Sequence, residues 1–397
     1  MPNFQTIIWH KPTGTILQVL PNRYIARRSD LLALSLPKPL PEVAFFYETQ
    51  PIDISTIEDR IKQIASGNPP VVISSSGEVK SFAAWSHHRR NQISSAHTIL
   101  CQFEGGMGDQ ILQAEALHQF YEIFPEKKLI VTVSRPYYDV LKHIEGLKNI
   151  HPQDAPPPNI HHDFSLNMHT QYITDPRGGL YGKASLYGAS LGLKSVHKSV
   201  KLSIPPHVIN PIATPHIHQA LKTANIKIGI HIRSGSGHAK SWNTEPAETL
   251  AKKFIDNKQA VVFLIGKSTD WQMNHHQAPR LDQKHSWLQT AAVLAHLDLL
   301  YCIDSGPMHL ARCLAIKNIT LWGGTSYRDI LGRERIQTDE RPEIPCIDQV
   351  CYDCPKGNPF CMSLHEPEKL YQKGLSILEN STTTQPTIHP NNHPETP

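Results

Sequence analysis

Nowhere in the 397 residues is there an apolar run of about 20 residues, the length a bilayer-spanning helix needs. The opening stretch, MPNFQTIIWHKPTG, lacks a basic segment followed by an apolar core. No signal peptide is therefore expected, and a cytoplasmic location is. Excess charge of one sign is scarce too. Lysine and arginine number 39 against 35 acidic residues, and a net charge of +4 does not point to nucleic acid. The 24 histidines read as scattered surface residues that would add charge only in acid. Seven cysteines, an odd number, argue against a secreted disulfide framework. No internal repeat is convincing. What is present is 39% apolar and 19% charged residues, a globular composition, with enough length for two or three domains and a core in each.

Residues 1–97 read as a separate α+β module. TIIWH and TILQVL flank Lys11-Pro12-Thr13-Gly14, which predicts a hairpin. A helix is expected at 57–66 and a strand at 71–75. From residue 98 strands and helices alternate. TILCQFE (98–104) is a strand, GGMGD (105–109) a glycine-rich turn, and 110–124 a helix. A strand at 129–134 and a helix at 138–144 follow, making a Rossmann-like unit over 98–215. A second α/β unit spans 216–380, with strands at 226–232 and 260–266 and helices at 246–256 and 286–297. The last seventeen residues, 381–397, have the composition of a disordered tail.

The most informative run is Asp304-Ser305-Gly306-Pro307-Met308-His309. It joins a strand, LLYCI (299–303), to a helix over 308–316, and a second strand, NITLWGG (318–324), comes next. This is a βαβ unit whose helix starts at the carboxyl end of a strand. Asp304 or Ser305 can cap the helix, Gly306 lets backbone approach a ligand, and Pro307 suits a first turn. Free N–H groups and the helix dipole there favour a phosphate, although an ordinary capped turn would look the same. His309 lies in the first turn, within reach of a bound anion.

Three further places offer chemistry. In GGMGD, Gly106 and Gly108 form a loop on the acceptor side, and Asp109 sits at the helix start as either a helix cap or a general base. The dipole would keep it ionised and weakly basic, which suffices when the electrophile is already cationic, as in glycosyl transfer. Lys240, in the loop after the 226–232 strand, is either a surface lysine or the cation for a diphosphate, and Arg233 is a second candidate. Asp270, beyond the strand ending at Gly266, is a candidate to hold a ribose hydroxyl. No Asp-x-Asp occurs anywhere, so a lysine and a helix terminus would have to replace a divalent ion at the phosphates.

Cys101, Cys302 and Cys313 fall in strand or helix patterns and read as core residues. Cys346, Cys351, Cys354 and Cys361 form C-x4-C-x2-C-x6-C. Such a cluster suits one tetrahedral Zn²⁺ or iron ion, closed and hence structural, with redox chemistry at Cys351 and Cys354 as the alternative.

GGMGD, Lys240-Ser241-Trp242 and DSGPMHLA (304–311), in that order, resemble the family 9 glycosyltransferases, the ADP-heptose-dependent heptosyltransferases with the GT-B fold. The resemblance covers residues 98 to about 375. It implies inverting transfer of heptose from ADP-heptose without a catalytic metal. Asp109 would be the base, Lys240 would hold the donor phosphates, and Asp304 would lie near the donor sugar. Ser305, Gly306, Met308 and His309 would belong to the donor pocket.

Two additions set the chain apart from the lipopolysaccharide core enzymes: the 97 residues ahead of the first Rossmann strand, and the cysteine cluster. Both look like the autotransporter heptosyltransferases, which modify bacterial adhesins and carry an iron-binding cysteine finger. That likeness implies a protein serine as acceptor, Fe³⁺ at the finger (with Zn²⁺ the other candidate), docking by the N-terminal module, and a homo-oligomer. Transfer to the lipopolysaccharide inner core is the alternative, and a nucleotide-sugar 2-epimerase a more distant one. A non-catalytic scaffold is the remaining reading.

Overall fold

The computed structural model describes residues 90–156, 161–168, 182–193, 195–205, 208, 215–235, 238–281, 285–325, 327–331 and 360–382, together with the backbone of strands at 4–10, 15–20, 31–37, 71–73 and 79–81. β1 (Phe4–His10) pairs antiparallel with β2 (Thr15–Leu20) and with β3 (Leu31–Pro37), giving the order β2-β1-β3. The hairpin expected around 11–14 is the β1–β2 connection. β4 (Val71–Ile73) and β5 (Val79–Ser81) form a two-stranded ribbon. The helix expected at 57–66 lies outside the described residues.

Two parallel sheets follow. β6 (Thr98–Gln102), β7 (Lys128–Val133), β8 (Ile150–Pro152) and β9 (Phe164–Asn167) are ordered β8-β7-β6-β9. β10 (Lys227–His231), β11 (Val261–Ile265), β12 (Arg280–Leu281), β13 (Leu299–Ile303) and β14 (Asn318–Leu321) are ordered β12-β11-β10-β13-β14. Every residue of β13 is buried, as expected for a central parallel strand covered on both faces.

Several helices start earlier than the sequence pattern suggests. α1 runs Met107–Ile123, so the GGMGD turn is partly helix and Asp109 stands in its first turn. Gly105, at φ 86°, makes the left-handed bend that lets β6 pass into α1. α2 (Arg135–Leu141) is displaced toward the N-terminus from the expected 138–144, because Pro136 fits its first turn. α3 (Gly182–Ser190) and α4 (Pro215–Thr223) are short helices that the apolar pattern did not reveal. α5 (Thr244–Lys258), α6 (Trp287–Leu294) and α7 (Gly306–Cys313) belong to the second sheet, and α8 (Tyr327–Leu331) follows β14.

α9 (Phe360–Ser363) and α10 (Pro367–Thr382) close the described chain. α10 returns to α5, where the Tyr371 ring meets Phe254 edge-on at 4.9 Å and Tyr301 donates to the Leu370 carbonyl at 2.8 Å. Residues 383–397, most of the expected tail, lie outside the described residues. One core cluster joins the first unit to α6 and α7, through Met107, Ile111, Val293, Met308 and Leu310. A second fills the far side of the five-stranded sheet around Trp242, Phe254 and Tyr301. Cys101, Cys302 and Cys313 are buried as expected, and burial pushes the Cys101 thiol up to about 12, which makes it inert at neutral pH.

Candidate functional site

The N-termini of α1 and α7 meet. A β-carbon at Gly108 would lie 2.8 Å from His309 Nε2, and one at Gly306 would lie 3.1 Å from Met107 Cβ and 3.0 Å from the Trp287 ring. The glycines of both motifs thus let two backbones approach where larger residues would hold them apart. Beside them Tyr137 of α2 meets Trp287 of α6 edge-on at 5.9 Å. A helix start from each parallel-sheet unit thus faces the other.

Asp109 is gripped from both ends. Its Oδ2 accepts the Gly106 N–H at 3.0 Å, so it does cap its own helix. Its Oδ1 accepts from the Tyr187 hydroxyl at 2.9 Å and from the Lys183 ammonium. The side chain keeps 23% of its surface exposed, so an acceptor hydroxyl can approach it. Of the two roles open on sequence grounds, the capping one is made through Oδ2, while Oδ1 is held by two donors from α3.

Asp304 is almost fully buried, and Lys240 and Thr325 donate to its Oδ2 at 2.8 and 2.7 Å. Burial alone would raise its carboxyl, but the Lys240 ammonium and the hydrogen bonds from Lys240 and Thr325 outweigh that and hold it below its ordinary value. Ser305 occupies the N-cap position of α7 without a side-chain cap bond. Its hydroxyl instead lies 3.0 Å from His231 Nδ1 and donates to the Ile303 carbonyl at 3.1 Å. Met308 and His309 are buried. Desolvation lowers His309 to about 4, against the pull of Asp304 and Asp109, and lowers His231 to about 4 as well. His309 therefore meets an anion as a neutral hydrogen-bonding ring at pH 7. It feels both carboxylates and links the two helix starts.

Two candidates have local partners. The Arg233 guanidinium donates to the Trp242 carbonyl at 3.2 Å and to Thr244 Oγ1 at 3.0 Å, bracing the loop that carries Lys240. Asp270 Oδ2 accepts the Lys267 N–H at 2.7 Å and caps a short 3-10 turn, with Arg233 Nε 3.9 Å from its Oδ1. Of the cysteine cluster, Cys361 is described. It is buried in α9, beside Gly323. Cys346, Cys351 and Cys354 lie outside the described residues, among which no group of three or more potential metal ligands occurs.

Sequence reasoning missed Lys183, Tyr187, Thr325, His231 and Tyr137. The Lys183–Tyr187 spacing of four residues, which sets both on one helix face, was the available signal. The others come from segments with no motif of their own.

Residues 211–352 match the model of glycosyltransferase family 9, the heptosyltransferases. A lipooligosaccharide heptosyltransferase 2 of Campylobacter jejuni is 23% identical over 206 residues, 48% of this chain and 61% of that relative. Its counterpart from another C. jejuni strain is 23% identical over 194 residues, 46% of this chain and 59% of the relative. The chain thus spans less than two thirds of either protein's length.

In fold, the chain resembles the ADP-heptose lipopolysaccharide heptosyltransferase II of E. coli, at TM-score 0.55 and 15% identity, over 72% of this chain and 99% of that one. It also resembles TibC of enterotoxigenic E. coli, an iron-containing dodecameric glycosyltransferase, at TM-score 0.55 and 13% identity, over 97% and 93%. Two parallel-sheet α/β units whose helix starts face each other make the fold GT-B in type, and within it residues 211–352 match the glycosyltransferase family 9 model.

Proposed function

We propose that the chain is an inverting, metal-independent heptosyltransferase that moves heptose from ADP-heptose to a protein hydroxyl. The observation that carries this reading is the apposition of the α1 and α7 starts. It sets a partly exposed carboxylate, Asp109, on one side and a half-buried ammonium, Lys240, at the other helix terminus. In the reaction the acceptor oxygen attacks the anomeric carbon as the bond from that carbon to the ADP oxygen breaks. Asp109 takes the acceptor proton, and ADP leaves with its new charge met by Lys240 and the amides at the start of α7. Gly306 and Met308 line that start, and His309 offers a neutral ring to the phosphates. Arg233 and Asp270 shape the loop and turn beside the nucleotide.

Extent of likeness supports a protein acceptor. The fold match to TibC runs through 97% of this chain, the N-terminal strands included, whereas that to heptosyltransferase II covers 72%. On this reading residues 1–97 are a docking module for an autotransporter adhesin, 98–215 the acceptor domain and 216–380 the nucleotide-sugar domain. Cys346, Cys351, Cys354 and Cys361 hold one structural metal ion, Fe³⁺ or Zn²⁺, and the chain assembles as a homo-oligomer in the cytoplasm. Transfer to the lipopolysaccharide inner core is the second reading, favoured by the Campylobacter relatives. Incubating the protein with ADP-heptose and either an adhesin fragment or a core lipid separates the two. A heptose mass added to serine-containing peptides supports the first, and heptose on the lipid alone overturns it.

A further inference from the structure

We propose that Lys183 and Tyr187 are positioning residues for the Asp109 carboxylate. Both donate to one oxygen, Oδ1, from one face of α3, while the Gly106 N–H holds the other. This inference rests on the reading of Asp109 as the base. α3 is a firm platform. The Ser185 hydroxyl accepts the Val196 N–H at 2.8 Å, and the Ser190 hydroxyl donates to the Tyr187 carbonyl at 2.5 Å. Tyr187 is 1% exposed, and the Lys183 ammonium stands 5.9 Å from its ring centre. Donors that originate more than seventy residues from Asp109 therefore converge on a single oxygen atom.

Two consequences follow from charge and geometry. With Oδ1 tethered, the carboxylate plane cannot turn, so the base meets the acceptor hydroxyl in one orientation. The ammonium also favours the ionised form and keeps the base ready at lower pH. The groups facing Asp109 are Lys183 and Tyr187 of α3, Tyr137 of α2, His309 of α7 and the Gly106 N–H of its own helix. Desolvation raises Tyr137 and lowers His309 to about 4, so both are neutral near pH 7, whereas Lys183 forms an ion pair with the carboxylate.

The test uses the full chain and compares wild type with Lys183→Met, Lys183→Arg and Tyr187→Phe. Titration of the Asp109 carboxyl is followed by ¹³C NMR without donor, and kcat and the donor KM are measured across pH. The expected result for Lys183→Met is an Asp109 titration moved to higher pH. Its kcat falls by about tenfold or more with the donor KM within about twofold, and the acid limb of the rate moves the same way. Tyr187→Phe lowers kcat less, and Lys183→Arg restores the titration.

An unmoved titration in a folded Lys183→Met protein overturns the proposal. So does a raised donor KM at unchanged kcat, which would make Lys183 a donor ligand. So does an Arg variant as impaired as the Met one, which would make its role packing alone. If wild type transfers no heptose the proposed function fails, while the NMR titration still decides whether the clamp exists.

Discussion

Lys240 and Asp304 depend on each other. Removing either leaves a charge buried alone, a loss on the order of 3–5 kcal/mol, whereas the pair itself contributes little net stability. Lys240→Met is therefore expected to destabilise the fold strongly, and Lys240→Met with Asp304→Leu to recover much of that loss while staying inactive. Chemical denaturation of the two single variants and the double variant checks this.

The two buried histidines add an acid weakness. Their folded values of about 4 lie below the ordinary 6.5, so the unfolded chain binds more protons in that interval. Stability is then fully present above pH 6.5 and declines as pH falls toward 4, by about 1.4 kcal/mol per pH unit for each histidine at the steepest. Thermal melts from pH 7 to 4.5 should show the decline, and His309→Asn should make it shallower. At this scale the sequence displayed Asp109, Lys240, Asp304 and His309, because each sits in a motif with its own local rationale. The spacing of Lys183 and Tyr187 marks a shared helix face, but only the tertiary fold brings them, and Thr325, to those carboxylates.

At the scale of elements, the contact of α1 with α7 is the feature on which the site is built. Gly108→Ala gains up to about 1 kcal/mol of helix propensity but forces the new methyl against His309, an overlap that costs about 1–3 kcal/mol in a close-packed interior. The overlap should prevail. The variant is expected to melt lower than wild type and to transfer more slowly, and a variant more stable than wild type would mean the helices do not approach so closely.

Of the two parallel sheets, β6, β7, β10, β11, β13 and β14 were readable because buried parallel strands are continuous apolar runs, whereas β8, β9 and β12, only two to four residues long, were not. The starts of α1, α2, α5 and α7 were misplaced by two or three residues; at α1 and α7 this is because glycines that permit close packing read as turns when sequence is the guide. α3, six of whose nine residues are Gly, Ala or Ser, carries little apolar periodicity and was not visible.

For the whole molecule, the two α/β units share a core, so the facing helix starts are held by packing. Of the cysteine cluster, Cys361 belongs to the same body, buried next to Gly323. Loss of one thiolate at Cys351→Ser is expected to release one metal ion per chain and lower the melting temperature, measured by elemental analysis and calorimetry on protein purified under reducing conditions. Wild type purified in that way without metal would contradict the structural ion.

The central claim is that a pyrophosphate is neutralised by Lys240 and a helix terminus opposite Asp109, with no divalent ion. The initial rate of heptose transfer from ADP-heptose, measured in EDTA and again with added Mg²⁺, tests it most directly. The account predicts equal rates in wild type and a loss of about 100-fold or more in Asp109→Asn under both conditions. Transfer abolished by EDTA and restored by Mg²⁺, or an Asp109→Asn enzyme as fast as wild type, would contradict it.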